Sequence, residues 1–193
     1  MKRKSVAIAL VMMLISMVTF ESCNSSKSKK VMSIAGTYQY DFDYTDEDFG
    51  EDDDLIKSLT IKGETRDRFM EDGTELDRGP INFKFRIEDE DGYKNNITLS
   101  YVSSYSGTWE QRGLTILLVG KNCSMTFIQA NTKYSLSDDD YYIDELKNWV
   151  EEVYLPILKA SSLGERELTI KSLTRERMII LEDDEEMIYT RID

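Results

Sequence analysis

Histidine is absent from all 193 residues. That excludes histidine general-base catalysis and every zinc site built on imidazole. Cysteine occurs twice, as Cys23 and Cys123, too few for a Cys-only metal site. A chain of this length also needs no disulfide framework, which belongs mainly to small domains with poor cores. Positive charge is in short supply: 24 Lys and Arg stand against 37 Asp and Glu, a net charge of −13. A field of that sign repels phosphate backbones, so nucleic acid is not an expected partner. Only one long apolar run exists, from Val6 to Phe20, and it falls short of the roughly 20 residues that span a bilayer. No catalytic or cofactor motif stands out, and no cofactor or metal is expected.

What is present begins with the leader. Lys2, Arg3 and Lys4 precede the apolar run, Ser22 and Cys23 close it, and the polar stretch Asn24–Lys30 follows. Charge, then apolar run, then a small residue is the layout of a secretory signal. With the cysteine at its end, the segment resembles a bacterial lipoprotein signal. Phe20 and Glu21 depart from the usual pattern and resemble the looser signals of Bacteroidetes-type bacteria. The resemblance implies a signal peptide over residues 1–22, lipidation of Cys23, a flexible tether over 23–33 and one domain over 34–193. It implies further that acyl chains hold the domain on the bilayer, with the outer membrane facing the periplasm as the expected location. A single chain would anchor only marginally, and lipoprotein processing supplies two or three. The leader carries a net +2, so the mature chain would stand at −15.

The rest reads as strands. Tyr38, Tyr40, Phe42 and Tyr44 alternate with polar residues, as do Leu59 with Ile61, the set Ile81, Phe83, Phe85 and Ile87, and Ile97, Leu99 and Tyr101. Strands are expected over residues 37–44, 55–64, 81–87, 95–105, 108–110, 114–119, 124–129, 167–173, 177–181 and 187–192. Period-two alternation gives a sheet with one dry face and one wet face. Asp72-Gly73, Asp91-Gly92, Arg112-Gly113 and Gly120-Lys121-Asn122 are turn signals, which makes neighbouring strands antiparallel. One helix interrupts the series. Ser137 or Asp138 can cap it, Tyr142, Leu146, Trp149, Val153 and Ile157 form its apolar stripe, and Pro156 should kink or end it.

Nine or ten strands without alternating helices point to a barrel or sandwich, and a barrel removes exposed edges. The start Ile34-Ala35-Gly36-Thr37-Tyr38, the element Gly107-Thr108-Trp109 before Leu114–Leu118, and the ending Met187-Ile188-Tyr189-Thr190-Arg191 resemble lipocalin-like barrels. The expected fold is therefore mainly β: an antiparallel lipocalin-like barrel of about 8–10 strands, with one α-helix inserted before the last strands.

The nine carboxylates between Asp41 and Asp54 invite a calcium reading. From Asp46, however, the sixth loop position is Glu51 instead of glycine, and a solvated acidic loop is the preferred account. Residues 183–186 read as an exposed hairpin turn. A glycosidase-type carboxylate pair would need a cleft and an acid of raised pKa. Acids in surface turns are poor candidates for that work. Cys123 has no histidine to activate it. The aromatics are the feature that can carry binding. If the barrel is hollow, Tyr38, Tyr40, Phe83, Phe85, Tyr101 and Trp109 are the candidate cavity lining, suited to a small hydrophobic or amphipathic molecule. The favoured expectation is a non-enzymatic, membrane-tethered carrier of such a molecule. Its rival is an interaction protein with a solid core that meets another envelope protein, and a carboxylate-pair hydrolase is a third.

Overall fold

The computed structural model describes residues 32–47, 49, 55–88, 91–134, 139–182 and 185–193. The leader, Cys23, most of the tether, much of the acidic loop and the cap candidates Ser137 and Asp138 lie outside the described residues. The chain begins to pack at Ile34, which is fully buried and whose backbone N–H donates to Gln111 Oε1 at 3.0 Å.

Eight strands follow in chain order: β1 (Gly36–Asp46), β2 (Ile56–Phe69), β3 (Thr74–Glu88), β4 (Lys94–Arg112), β5 (Thr115–Thr132), β6 (Gly164–Leu173), β7 (Arg177–Glu182) and β8 (Glu185–Arg191). Each pairs antiparallel with the next, and β8 returns to β1, so the sheet is a closed barrel. The seam is short, joining Tyr38 to Arg191 and Gln39 to Thr190. It is reinforced where the Ile192 N–H donates to Thr37 O at 2.9 Å and the Thr37 N–H donates to Asp193 Oδ2 at 2.9 Å.

The strand count is eight because two expected breaks are strand interior. Residues 95–105 and 108–110 belong to the single strand β4, and the segments expected at 114–119 and 124–129 belong to β5, which starts at Thr115. Gly120-Lys121-Asn122 is thus a bulge and not a turn: Ser106 faces Asn122 while Gly107 faces Gly120, leaving Lys121 unpaired. Such a bulge bends and twists a long strand without ending it. The glycine has a steric reason as well, since a Cβ at Gly120 would lie 2.0 Å from Ser162 O at the end of the helix. The other turn signals are true hairpins, with Gly73, Gly92 and Gly113 all at positive φ.

The helical segment stands between β5 and β6. It comprises α1 (Asp139–Trp149), a π-helical turn (Val150–Tyr154) and α2 (Leu155–Ser162). Pro156 does not end it. The wider π turn falls just before the proline, where a missing N–H and a ring would otherwise disturb a regular α-helix. The expected stripe holds for Tyr142 and Leu146, which are buried, whereas Val153 is exposed and Val150 takes the inward place. The π turn shifts the helical phase, which a strict 3.6 period could not foresee. Beyond Gly120, β5 has no partner in β6, and the helical segment covers that wall.

Apolar side chains inside the barrel form two clusters. One gathers Leu59, Ile61, Phe83, Phe85, Ile97, Leu99 and Tyr101 with Leu146 and Val150 of the helical segment. The other gathers Ile34, Tyr38, Phe69, Ile116, Leu118, Leu168, Ile170, Met178 and Ile180.

Candidate functional site

Between the two clusters the interior changes character. The inward row of β3 shows this within one strand: Ile81, Phe83, Phe85 and Ile87 are apolar, and the same face continues to Gly79, Asp77 and Glu75. On β2 the row runs Leu59, Ile61, Gly63, Thr65, Asp67 and Phe69, again with polar residues before the far apolar layer. All eight strands behave alike. They supply Tyr40, Thr65 with Asp67, Glu75 with Asp77, Ser103 with Tyr105, Cys123, Arg166, Glu182 and Tyr189 to the lining of one cavity of about 230 Å³. Tyr154, Leu158 and Ser162 of the helical segment complete its wall. The molecule is thus a barrel with a polar belt between two packed apolar layers.

The backbone brings β2 and β3 unusually close beside this belt. A Cβ on Gly79 would lie 1.6 Å from the carbonyl oxygen of Glu64, so only glycine fits. Next to it, Pro80 has no N–H to give to the ladder. Asp67 and Asp77 are direct partners in the register, and Glu75 faces Phe69.

The electrostatics follow from burial. Burial raises Asp67 well above the ordinary carboxylate range, and the neighbouring Asp77 and Glu75 charges push in the same direction. Burial also raises Glu75 to about 7, against the opposing pull of the Arg166 guanidinium. Asp77 rises to about 6, again through burial, opposed by a hydrogen bond from the Arg66 backbone and by Arg166. Arg166 is the belt's guanidinium: it stands 3.7 Å from Glu182 and over the Tyr105 ring at 5.7 Å. Glu75 Oε2, Asp77 Oδ1 and Arg166 Nε are buried without a hydrogen-bond partner. Unmatched buried polar atoms are costly, about 1–3 kcal/mol each, and call for an explanation.

Of the six aromatics read as cavity lining, Tyr40 lines this cavity. Tyr38, Phe83, Phe85 and Tyr101 sit in the apolar layers, with Phe83 edge-on to Tyr154 at 4.7 Å. Trp109 packs edge-on against Phe69 at 5.8 Å and donates from Nε1 to Met70 O. They fill the barrel on either side of the cavity. Cys123 lines the cavity, and burial raises its thiol.

The carboxyls escaped the sequence reading, yet a signal existed. Continuing the Leu59–Ile61 alternation reaches Asp67, and running the Ile81–Ile87 alternation backwards reaches Asp77 and Glu75. Gly79-Pro80 reads as a break, and acids suggest a wet face; both cues hide the continuity.

No protein-family model matches the chain, and no curated protein matches it. Among solved structures it is similar to an uncharacterized protein from Bacteroides eggerthii DSM 20697, at 13% identity and a TM-score of 0.38, over 83% of this chain and 100% of that one. It is also similar to a lipopolysaccharide binding protein, at 10% identity and a TM-score of 0.35. That match covers 91% of this chain and 46% of the other. Likeness at this level carries no functional argument. The fold defines a closed eight-stranded antiparallel up-and-down barrel with a helical segment before its last three strands.

Proposed function

We propose that this protein is a lipid-anchored envelope barrel that binds or carries a small amphipathic molecule in its interior cavity without transforming it. The observation that carries the reading is the belt itself. Every strand contributes a polar or thiol side chain to one cavity that lies between two clusters of buried apolar residues. A solid-core interaction protein has no use for such a belt, because burying acids is expensive and apolar replacements would stabilise the fold. Binding sites typically combine apolar walls with a few convergent polar groups, and Phe42, Leu118, Leu168 and Ile180 supply the apolar share. The anchoring half of the proposal rests on the leader alone: the charged start, the apolar run and Cys23.

Two experiments test it. Native mass spectrometry of the intact chain should find a copurifying small molecule, and Thr65→Phe, which fills the cavity, should lose it. A wild-type protein that always flies empty would overturn the carrier role. Separately, metabolic labelling with a clickable fatty acid should mark the wild type and leave Cys23→Ser unmarked. Equal label on both would overturn the anchor.

A further inference from the structure

We infer that the ligand of the cavity is a small organic ammonium ion, received among the carboxyls that Asp67, Glu75 and Asp77 turn into the lining they share with Tyr40. The inference rests on the binding role proposed above and names its ligand class.

The belt has an excess of acid. Four carboxyls, those of Asp67, Glu75, Asp77 and Glu182, share the cavity with the single guanidinium of Arg166. Arg166 lies closest to Glu182, and among the described residues no salt bridge reaches Asp67, Glu75 or Asp77. Glu75 is only 3% exposed, lines the cavity, and leaves Oε2 without a donor; Asp77 Oδ1 is in the same condition. Tyr105 Oη and Arg166 Nε are unmatched donors in the same cavity, but four carboxyls offer more acceptor oxygens than those two groups can serve. An ammonium group brings several N–H donors and no acceptor, so it suits an unmatched carboxyl oxygen and offsets the charge of the acids around it. A carboxylate or phosphate ligand would add acceptors and negative charge to a site that already has too many.

The arrangement also discriminates against a metal ion. No three Asp, Glu or Cys side chains among the described residues converge closely enough to hold one. The acids are spread around a cavity of about 230 Å³, which has room for an organic group as well as its charge. That group would meet an aromatic wall. Tyr40 stacks on Tyr189 at 5.2 Å and on Phe42 at 6.3 Å, which gives the organic group an apolar surface to lie against.

Titration calorimetry on the full chain tests this with probes of one length and three charges: hexylammonium, 1-hexanol and hexanoate. Hexylammonium should bind at least about tenfold more tightly than the alcohol, ~1.4 kcal/mol, and hexanoate should not bind. Glu75→Gln and Asp77→Asn are isosteric and remove charge, so both should melt no lower than the wild type. Each should weaken hexylammonium by about tenfold or more and weaken 1-hexanol much less. Equal binding of alcohol and ammonium, or undiminished ammonium binding by both variants, would overturn the ligand class and leave a binding cavity standing. Binding of none of the three would overturn the cavity's binding role along with it.

Discussion

Asp67 on β2 and Asp77 on β3 face each other directly across an antiparallel ladder, both turned to the inside of the barrel. Like charges in that position repel, and here they do so with little water to screen them. Burial and this mutual repulsion both favour the neutral form, and both carboxyls are raised above their ordinary range.

Stability should consequently depend on pH in an unusual direction. For Asp67, Glu75 and Asp77 the folded-state pKa lies above the unfolded one. Their contribution is fully present below the unfolded carboxylate range and is lost as pH rises through about 6 for Asp77 and about 7 for Glu75. The free barrel should melt higher near pH 5 than near pH 8, with a difference on the order of 2–3 kcal/mol. Thermal melts across that range check this. Asp67→Asn with Asp77→Asn should reduce the dependence and leave the part that Glu75 contributes as pH rises through about 7.

Gly79→Ala should be severely destabilising. Its Cβ would meet the Glu64 carbonyl at 1.6 Å, and backbone cannot move aside as a side chain does. The expected loss is about 3 kcal/mol or more, read as a lower midpoint in urea.

Leu146→Ala tests the role of the helical segment. Leu146 is 1% exposed and belongs to the apolar layer formed with β2, β3 and β4. A loss of about 2–5 kcal/mol is expected from the transfer and cavity costs of a buried leucine. A change within about 0.5 kcal/mol would mean that the segment does not seal the wall.

Cys123 offers a direct probe of the cavity. Burial raises its thiol, so labelling by a thiol-specific disulfide reagent at pH 7.5 should be slower than for an exposed cysteine. A bound molecule should slow it further, since Cys123 lines the same cavity. Labelling kinetics with and without hexylammonium measure the protection.

Much of the architecture was legible along the chain. Alternation in residues 37–44, 81–87 and 95–105 placed real strands with the correct inward faces, and Asp72-Gly73, Asp91-Gly92 and Arg112-Gly113 marked real hairpins. The helix before the last three strands was legible from its apolar stripe. Gly120-Lys121-Asn122 misled because a bulge and a turn use the same residues, and only the ladder partners Ser106 and Gly107 distinguish them.

The site followed a different logic. By itself, the sequence determined which residues alternate, and so which side chains could share a face of one strand, because the period of an extended chain is local. Only barrel closure decided that Asp67, Glu75 and Asp77 meet Arg166, Glu182 and Tyr189 from the far side of the sheet, since the stagger between strands sets which rows reach the same level. Closure also decided which aromatics pack and which line space: Phe83 and Tyr40 look equivalent in sequence, and their heights within the barrel separate them.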